Sequence, residues 1–136
     1  MPDVQRDPIV SVILDGAVEV HRALGPGLLE SAYQACLVHE LLERGLIVER
    51  QVAVPVIYKG IRLDCGYRLD LLVNTDIIVE VKSVEKLLPI HDAQVLSYLR
   101  LTGARRALLL NFNELSLKRG VRSFLGYGKY VPPDEM

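Results

Sequence analysis

The sequence predicts an α/β domain with a mixed β-sheet, and three patterns along the chain carry that prediction. Apolar residues in the first third recur at the spacing of helices that pack one face against a core. Segments rich in Val and Ile follow, as is typical of strands. A further helical segment then precedes the fully apolar run 107–110, which favours a buried strand. The chain has 136 residues, 50% of them hydrophobic, so one domain can bury a core without cross-links.

Two helices are expected before the first strand. The first begins at Asp7-Pro8, where a capping carboxylate precedes a proline, and its periodic apolar residues run to about Leu24. Gly25-Pro26-Gly27 ends it, because glycine adopts the left-handed cap and proline cannot continue a helix. A second periodic stretch covers residues 29–42 and ends at Arg44-Gly45. Together they predict an N-terminal helical hairpin.

Three strands should follow as an antiparallel meander. The β-branched segment 46–57 predicts the first strand, and Lys59-Gly60 is a plausible tight turn into a second strand over residues 61–73. Asn74-Thr75-Asp76 predicts another turn, and residues 77–82 form an apolar third strand that carries two charges.

The remaining elements complete a sheet flanked by helices. A helix is expected over residues 90–101, ending at Thr102-Gly103, followed by the buried strand 107–110 and one more short strand. We expect a single domain over residues 1–125. The last segment, 126–136, contains Pro132-Pro133 and two acids and predicts a loosely ordered C-terminal tail.

Several classes of protein are disfavoured by composition. No apolar run approaches the roughly 20 residues of a membrane span, and the N-terminus lacks the pattern of a signal peptide. A cytoplasmic protein with reduced thiols is therefore expected. Cys36 and Cys65 form no CxxC pair and no Cys/His cluster, which argues against structural zinc.

Charge is distributed unevenly along the chain, although the formal net charge is only −1. The C-terminal third between residues 100 and 130 carries one acid, Glu114, against seven basic residues. Such a segment is either an ordinary solvated face or a surface that binds phosphates. The seven are Arg100, Arg105, Arg106, Lys118, Arg119, Arg122 and Lys129.

The third strand of the meander carries the residues with the clearest chemistry. Side chains alternate along a strand, so Glu80 and Lys82 should share one face while Val79 and Val81 point into the core. If the preceding strand pairs through the 74–76 turn, Asp70 lies close to Glu80. Two carboxylates, with the backbone carbonyl of Val81, would form a partial shell for a hard divalent cation beside a lysine.

The spacing of these residues resembles a known nuclease signature. Asp70 followed by Glu80-Val81-Lys82 is similar to the D…(D/E)xK signature of the PD-(D/E)xK nuclease superfamily, with Leu69 in place of its proline. Gln94 and Tyr98 on the next helix are similar to the QxxxY motif of the RecB-like branch. Residues 27–33, GLLESAY, match the GxxExxY pattern that names a small family of this superfamily.

The resemblance implies a restriction-endonuclease-like core and a Mg²⁺- or Mn²⁺-dependent nuclease that hydrolyses phosphodiester bonds in DNA. It implies metal ligation by Asp70, Glu80, Glu30 and the Val81 carbonyl. The implied catalytic set is Asp70, Glu80, Lys82, Glu30, Gln94 and Tyr98. The candidate nucleic-acid contacts are Arg68, Arg100, Arg105, Arg106, Lys118, Arg119 and Arg122.

Simpler interpretations stand beside these. Glu30 is also what the helix dipole favours in a first turn, and Tyr33 is expected to be a core residue rather than a catalytic one. Gln94 and Tyr98 also fit an ordinary half-buried face. Arg68 is either a salt-bridge partner or a phosphate contact.

The alternative to an enzyme is a catalytically silent nuclease-fold module that binds nucleic acid or a protein partner. A homodimer is a further expectation, because a domain this small offers limited surface to a duplex.

Overall fold

The computed structural model of the protein describes residues 7–126. The helices are α1 (Pro8–Leu24), α2 (Glu30–Glu43) and α3 (Pro89–Thr102), with a 3₁₀ turn at Leu117–Gly120. The strands are β1 (Val48–Ala53), β2 (Val56–Tyr58), β3 (Ile61–Leu63), β4 (Arg68–Val73), β5 (Ile77–Lys82), β6 (Arg106–Asn111) and β7 (Val121–Leu125). In this range no helix is long and apolar enough to cross a membrane.

The N-terminal helical hairpin is confirmed, with the predicted Asp7 cap at its start; Gly25 ends the first helix as predicted, but its ψ of 178° lies outside the left-handed helical region. The Asp7 carboxylate accepts hydrogen bonds from the backbone N–H groups of Ile9 and Val10, which have no partner inside the helix. Gly25 ends α1 with a φ of 68°, and its N–H donates to the carbonyl of His21. The hairpin buries the apolar faces of both helices against one side of the sheet.

The two long strands predicted over residues 46–57 and 61–73 are each divided in two. Pro55 interrupts the first, because proline has no N–H to donate to a ladder. In the second, Gly66 has a φ of 83°, and its N–H donates to the side chain of Asp64. The inner halves, β2 and β3, pair with each other as a separate two-stranded sheet.

The main sheet has the order β1-β4-β5-β6-β7. All neighbours are antiparallel except β5 and β6, which are parallel and joined through α3. The predicted turn between β4 and β5 is confirmed, with positive φ values at Asn74 and Thr75. Every residue of β6 is buried, as expected for a central strand with a helical layer on each face.

Two apolar cores lie on opposite faces of this sheet. The first core joins α1 and α2 to residues such as Leu71, Val79 and Val81, so the predicted inward orientation of the two valines is confirmed. The second core packs α3 against residues such as Ile78 and Leu109. The result is a three-layer α/β fold consistent with a restriction-endonuclease-like core.

The C-terminal end of the described chain is held in place. Gly126, which the sequence placed in a loose tail, is buried, and its N–H donates to the carbonyl of Arg105 at 2.8 Å. The rest of the predicted tail lies outside the described residues.

Candidate active site at the open end of strands β4 and β5

The predicted convergence of Asp70 and Glu80 is present at the point where β4 and β5 stop pairing. The regular ladder extends from Val73↔Ile77 to Leu71↔Val79. Beyond it, the backbone N–H of Asp70 donates to Oε2 of Glu80, and the backbone N–H of Val81 donates to Oδ2 of Asp70, both at 2.8 Å. Side-chain carboxylates have taken the place of the next backbone hydrogen bonds. We call Asp70 and Glu80 the carboxylate pair.

Strand β4 is also distorted at Asp70 on its other side. Arg50 pairs with Leu71 and Val52 pairs with Leu69, but the pair between them, Gln51 with Asp70, is missing. Gln51 has a φ of 51°. Leu69 and Leu71 should share a face, yet Leu69 belongs to the second core and Leu71 to the first. The strand therefore twists at Asp70, and the Asp70 side chain can reach across the opening.

The carboxylate pair is buried and electrostatically strained. Glu80 is 2% exposed, and burial followed by the negative charge of Asp70 raises its pKa to about 8. Burial also raises the pKa of Asp70, although the N–H of Val81 and the charge of Lys82 oppose the effect. Two acids in this environment favour either a shared proton or a neighbouring cation.

Lys82 lies beside the pair, on the strand that carries Glu80. Its charge lowers the pKa of both acids, and its Nζ atom is 3.5 Å from Oε1 of Gln94 on α3. The glutamine therefore faces the lysine, as the sequence predicted, across the limiting distance of a hydrogen bond.

Glu30 and Gln34 approach from α2, one helical turn apart. Oε2 of Glu30 accepts a hydrogen bond from the backbone N–H of Ser83, immediately after Lys82, and the charge of Glu30 raises the pKa of Asp70 and Glu80. Gln34 is buried, its Oε1 accepts a hydrogen bond from the side chain of Gln51 at 3.1 Å, and its amide lowers the pKa of Asp70. The sequence interpretation missed Gln34, although its spacing of four from Glu30 on one helix face was the available signal.

Tyr33 is a core residue with a structural hydrogen bond, as expected. Its ring stacks on Phe112 at 4.7 Å between centroids, and its hydroxyl donates to the carbonyl of Gly25 and accepts from the N–H of Leu28. The hydroxyl of Ser83 in turn donates to the carbonyl of Leu28. The loop before α2 is thus tied to the segment that follows Lys82.

Asn111 is a second residue that the sequence did not reveal. It is fully buried at the end of β6, where its side chain accepts from the N–H of Val84 and donates to the carbonyl of Val84. It therefore fixes the segment after Lys82 from the opposite side to Glu30. A lone Asn after four apolar residues gives no distinctive pattern.

A cavity of about 550 Å³ opens next to Lys82 and Gln94. Tyr98 and Tyr67 form part of its wall, with their rings edge to face at 6.3 Å between centroids. Burial, then the charges of Glu80 and Asp70, raises the pKa of Tyr98, which places this ring close to the carboxylate pair. His91 also lines the cavity, but its Nδ1 atom accepts the N–H of Leu88 at the start of α3.

The predicted basic contacts do not form one surface. Arg105 and Arg106 lie at the start of β6, at the opposite end of the sheet from Lys82, and both form ion pairs with Asp7. Arg106 is 8% exposed, which leaves little of it for a ligand. Arg68 pairs with Asp64, the salt-bridge alternative.

The other predicted basic contacts lie on three different elements. Arg122 on β7 pairs with Asp92 in the first turn of α3. Lys118 and Arg119 are exposed in the 3₁₀ turn, which packs against the end of β6 near Asn111. Arg100 on α3 donates to the hydroxyl of Ser97. Lys129 lies outside the described residues.

The donor set fits a hard divalent cation as a partial shell. Asp70 and Glu80 supply carboxylate oxygens, and the three nearby acids outnumber the one lysine, so a cation would relieve their repulsion. Among residues 7–126, no group of three or more His, Cys, Asp or Glu side chains is arranged to hold a metal ion. Any cation would therefore depend on water or phosphate oxygens to complete its coordination.

Comparison with known families identifies the superfamily of this chain. Residues 7–124 match the family model described as the PD-(D/E)XK nuclease superfamily. The chain belongs to the PD-(D/E)XK nuclease superfamily. In this PD-(D/E)XK nuclease-fold protein, Asp70 lies on β4, and Glu80 and Lys82 lie on β5. Searches of curated proteins and of solved structures gave no match to this PD-(D/E)XK chain.

Proposed function

We propose that this protein is a divalent-metal-dependent nuclease that hydrolyses phosphodiester bonds in DNA, and that it belongs to the GxxExxY group of the RecB-like branch. The observation that carries the proposal is the carboxylate pair, which exchanges hydrogen bonds with backbone N–H groups of the opposite strand beside Lys82. A fold needing only stability would gain nothing from two repelling buried acids, since apolar residues of similar size are cheaper to bury. We also propose that residues 1–125 form its single domain.

Asp70 and Glu80 would hold Mg²⁺ or Mn²⁺, together with the backbone carbonyl of Val81. When bound, the cation supplies charge neutralisation at the scissile phosphate and acidifies water. The backbone N–H groups of Asp70 and Val81 hold Oε2 of Glu80 and Oδ2 of Asp70, which fixes the orientation of both carboxylates. Glu30 on α2 would help to bind the same cation, and its hydrogen bond to Ser83 keeps its carboxylate at the end of β5.

Lys82 is placed to orient the attacking water or to stabilise negative charge that develops on the phosphate. Gln94 accepts from the lysine and so limits where the ammonium group can point. Tyr98 lies one turn after Gln94 on the same face of α3 and is buried, and the charges of Glu80 and Asp70 contribute to its raised pKa. These three residues would act together on one side of the cation.

The GxxExxY assignment is supported by the way the motif acts as a unit. Glu30 holds the N–H of Ser83, while Tyr33 holds the loop whose Leu28 carbonyl accepts the Ser83 hydroxyl. Both motif side chains therefore fix the segment directly after Lys82. Gly27, with a φ of 103°, lets the chain turn between the two helices.

Of the predicted phosphate contacts, Lys118 and Arg119 are the best placed, because they are exposed near the end of β6 that adjoins Lys82 and Ser83. Arg100 and Arg122 remain candidates. We leave Arg105 and Arg106 out of the proposed DNA surface. A homodimer stays a prediction, and a monomeric mass by light scattering at working concentration would contradict it.

The decisive test is cleavage of labelled single- and double-stranded DNA and RNA with Mg²⁺, Mn²⁺ or chelator. We expect metal-dependent cutting by the wild type and loss of at least about a hundredfold in Asp70→Asn and Lys82→Ala. Arg105→Ala, at the far end of the sheet, is the matched control and should cut normally at a temperature where it is folded.

The alternative function, a catalytically silent module, predicts a different result. It would show no cutting on any substrate, with binding to nucleic acid or a protein that survives chelator and Asp70→Asn. Equal cutting in the wild type and both variants would identify a contaminant and contradict the nuclease proposal.

A further inference from the structure

The β2–β3 hairpin exposes an apolar surface beside the candidate active site. Its register pairs Val56 with Leu63 and Tyr58 with Ile61. Directly opposite residues share a face and alternate positions return to it, so these four side chains lie together. We call them the apolar hairpin face. Tyr58 is 59% exposed and Ile61 58% exposed, which is unusual for large apolar side chains that adjoin one another.

This face is continuous with the cavity that contains Lys82 and Gln94. Val56 belongs both to the apolar hairpin face and to the cavity wall. Tyr67, which follows the hairpin, is half-exposed and also lines the cavity. An extended ligand reaching Lys82 through the cavity would therefore pass Tyr67 and continue along Tyr58.

The charge of the hairpin indicates the kind of ligand. Residues 56–63 include two cations and no acid: Lys59 in the turn, and Arg62, which pairs with Ile57 and faces the other side of the hairpin. The Lys59 ammonium lies over the Tyr58 ring, 5.5 Å from its centroid. Exposed rings interleaved with cations are the combination that binds single-stranded nucleic acid, because each base can stack on a ring while its phosphate meets a cation.

We propose that the apolar hairpin face and the adjoining cavity bind single-stranded nucleic acid, with one unpaired base in the cavity against Tyr67 and a neighbouring base stacked on Tyr58. This inference rests on the proposed nuclease function and narrows its substrate to strands with unpaired bases. The bases of a continuous duplex are stacked inside the helix and cannot enter a side cavity without being extruded. An end, a flap or a single strand presents them freely.

The test is binding of a fluorescein-labelled single-stranded oligonucleotide, measured by anisotropy in chelator so that no cutting occurs. The same sequence as a duplex is the comparison. We expect the single strand to bind at least about tenfold more tightly, and Tyr58→Ala and Tyr67→Ala each to weaken it by about fivefold to a hundredfold. Tyr67→Phe should bind like the wild type, because it keeps the ring.

Two controls separate stacking from general effects. Ile61→Ala should weaken binding, whereas Ile47→Ala, at a position 64% exposed outside the hairpin, should not. An abasic strand of the same length keeps the phosphates but lacks bases, so it should bind weakly and be indifferent to Tyr58→Ala. Equal affinity for strand and duplex, or tyrosine variants within about twofold of the wild type, would overturn the proposal.

Other outcomes are equally distinct. If Ile61→Ala converted a dimer to a monomer in light scattering while strand binding was unchanged, the face would be a self-association surface and the proposal would be wrong. Ring-dependent binding of single strands without cutting in Mg²⁺ or Mn²⁺ would refute the nuclease function and retain this inference. Cutting of duplexes and single strands at equal rates, unaffected by Tyr58→Ala and Tyr67→Ala, would support the nuclease function and refute the proposed single-strand binding.

Discussion

At the scale of single residues, the carboxylate pair combines a stability cost with a chemical use. Glu80 is buried beside Asp70, and burial followed by the negative charge of Asp70 raises its pKa, while burial and the charge of Glu30 raise the pKa of Asp70. A site that binds a cation needs ionised carboxylates, whereas a stable fold needs neutral groups at such positions. The two requirements conflict until a cation is present.

The first prediction concerns Glu80→Gln. Because its pKa is about 8, Glu80 must take up a proton on folding at neutral pH, whereas glutamine keeps an acceptor for the N–H of Asp70 without that cost. The metal-free variant should therefore gain about 1–2 kcal/mol in free energy of unfolding at neutral pH. The measurement is urea denaturation in chelator. Glu85→Gln, at an exposed position, should change the free energy by less than about 0.5 kcal/mol. A less stable Glu80→Gln protein would contradict the electrostatic account.

The second prediction concerns added metal. Mg²⁺ or Mn²⁺ should raise the Tm of the wild type, since a ligand present at about 100 times its Kd stabilises the folded state by about 2.7 kcal/mol. The gain should largely disappear in Asp70→Asn and Glu80→Gln, and should persist in Glu85→Gln. The measurement is thermal denaturation with and without the metal. An equal rise in the Tm of all four proteins would indicate a nonspecific salt effect.

At the scale of elements, the loop between α1 and α2 positions the end of β5. Tyr33 ties Gly25 to Leu28, and Leu28 accepts the hydroxyl of Ser83. A helical hairpin on one face of the sheet thereby holds the segment after Lys82. The geometry of the lysine depends on a contact between elements more than 50 positions apart in sequence.

The third prediction is that Tyr33→Phe loosens this connection. The phenyl ring preserves the stacking on Phe112, but the Gly25 carbonyl and the Leu28 N–H lose their partner, at a cost of about 1–2 kcal/mol in unfolding free energy. Cleavage should fall severalfold at a temperature where the variant is folded. Tyr58→Phe, whose side chain is exposed, is the matched control for stability and should match the wild type. Unaltered stability of Tyr33→Phe would contradict the structural role of the Tyr33 hydroxyl.

At the scale of the whole molecule, the end of the sheet remote from the carboxylate pair is closed by an ion-pair group. Asp7 caps α1 and also contacts Arg105 and Arg106 at the start of β6, and Asp76 of the β4–β5 turn binds Arg105 as well. Side chains that the sequence assigned to DNA are therefore structural. They join the first helix to the sheet.

The fourth prediction is that Asp7→Ala destabilises the fold by about 2–3 kcal/mol. The change removes the N-cap and leaves the buried Arg106 without its acid. Asp15→Ala, at an exposed position of the same helix, is the control and should cost less than about 0.5 kcal/mol. Denaturation curves of the two variants measure these free energies. A loss in Asp7→Ala no larger than that of a helix cap alone would contradict the role of the pairing with Arg106.

The contribution of Asp7 should also depend on pH. Burial raises the pKa of this acid. Hydrogen bonds from Arg105, Val10 and Ile9, together with the charge of Arg105, lower the pKa by more than burial raises it, so the net pKa is below 3.8. A lowered folded-state pKa means that the stabilisation is complete above the unfolded value and is lost as pH falls through the folded value. The difference in unfolding free energy between wild type and Asp7→Asn should therefore shrink below about pH 3.8. A difference independent of pH would contradict the ionic contribution.

The sequence by itself determined the order of the helices, the turn at Asn74 and Thr75, the buried strand β6, and the facing of Glu80 and Lys82. Each follows from periodicity or capping within a few residues. It did not determine the division of the two long strands, because strong β-branched propensity over residues 46–57 outweighed the single Pro55. Only the tertiary structure brought Gln34 and Asn111 to the site and took Arg105 and Arg106 away from it. Those placements depend on contacts between distant elements, and the one local signal among them was the spacing of four between Glu30 and Gln34 on a helix face.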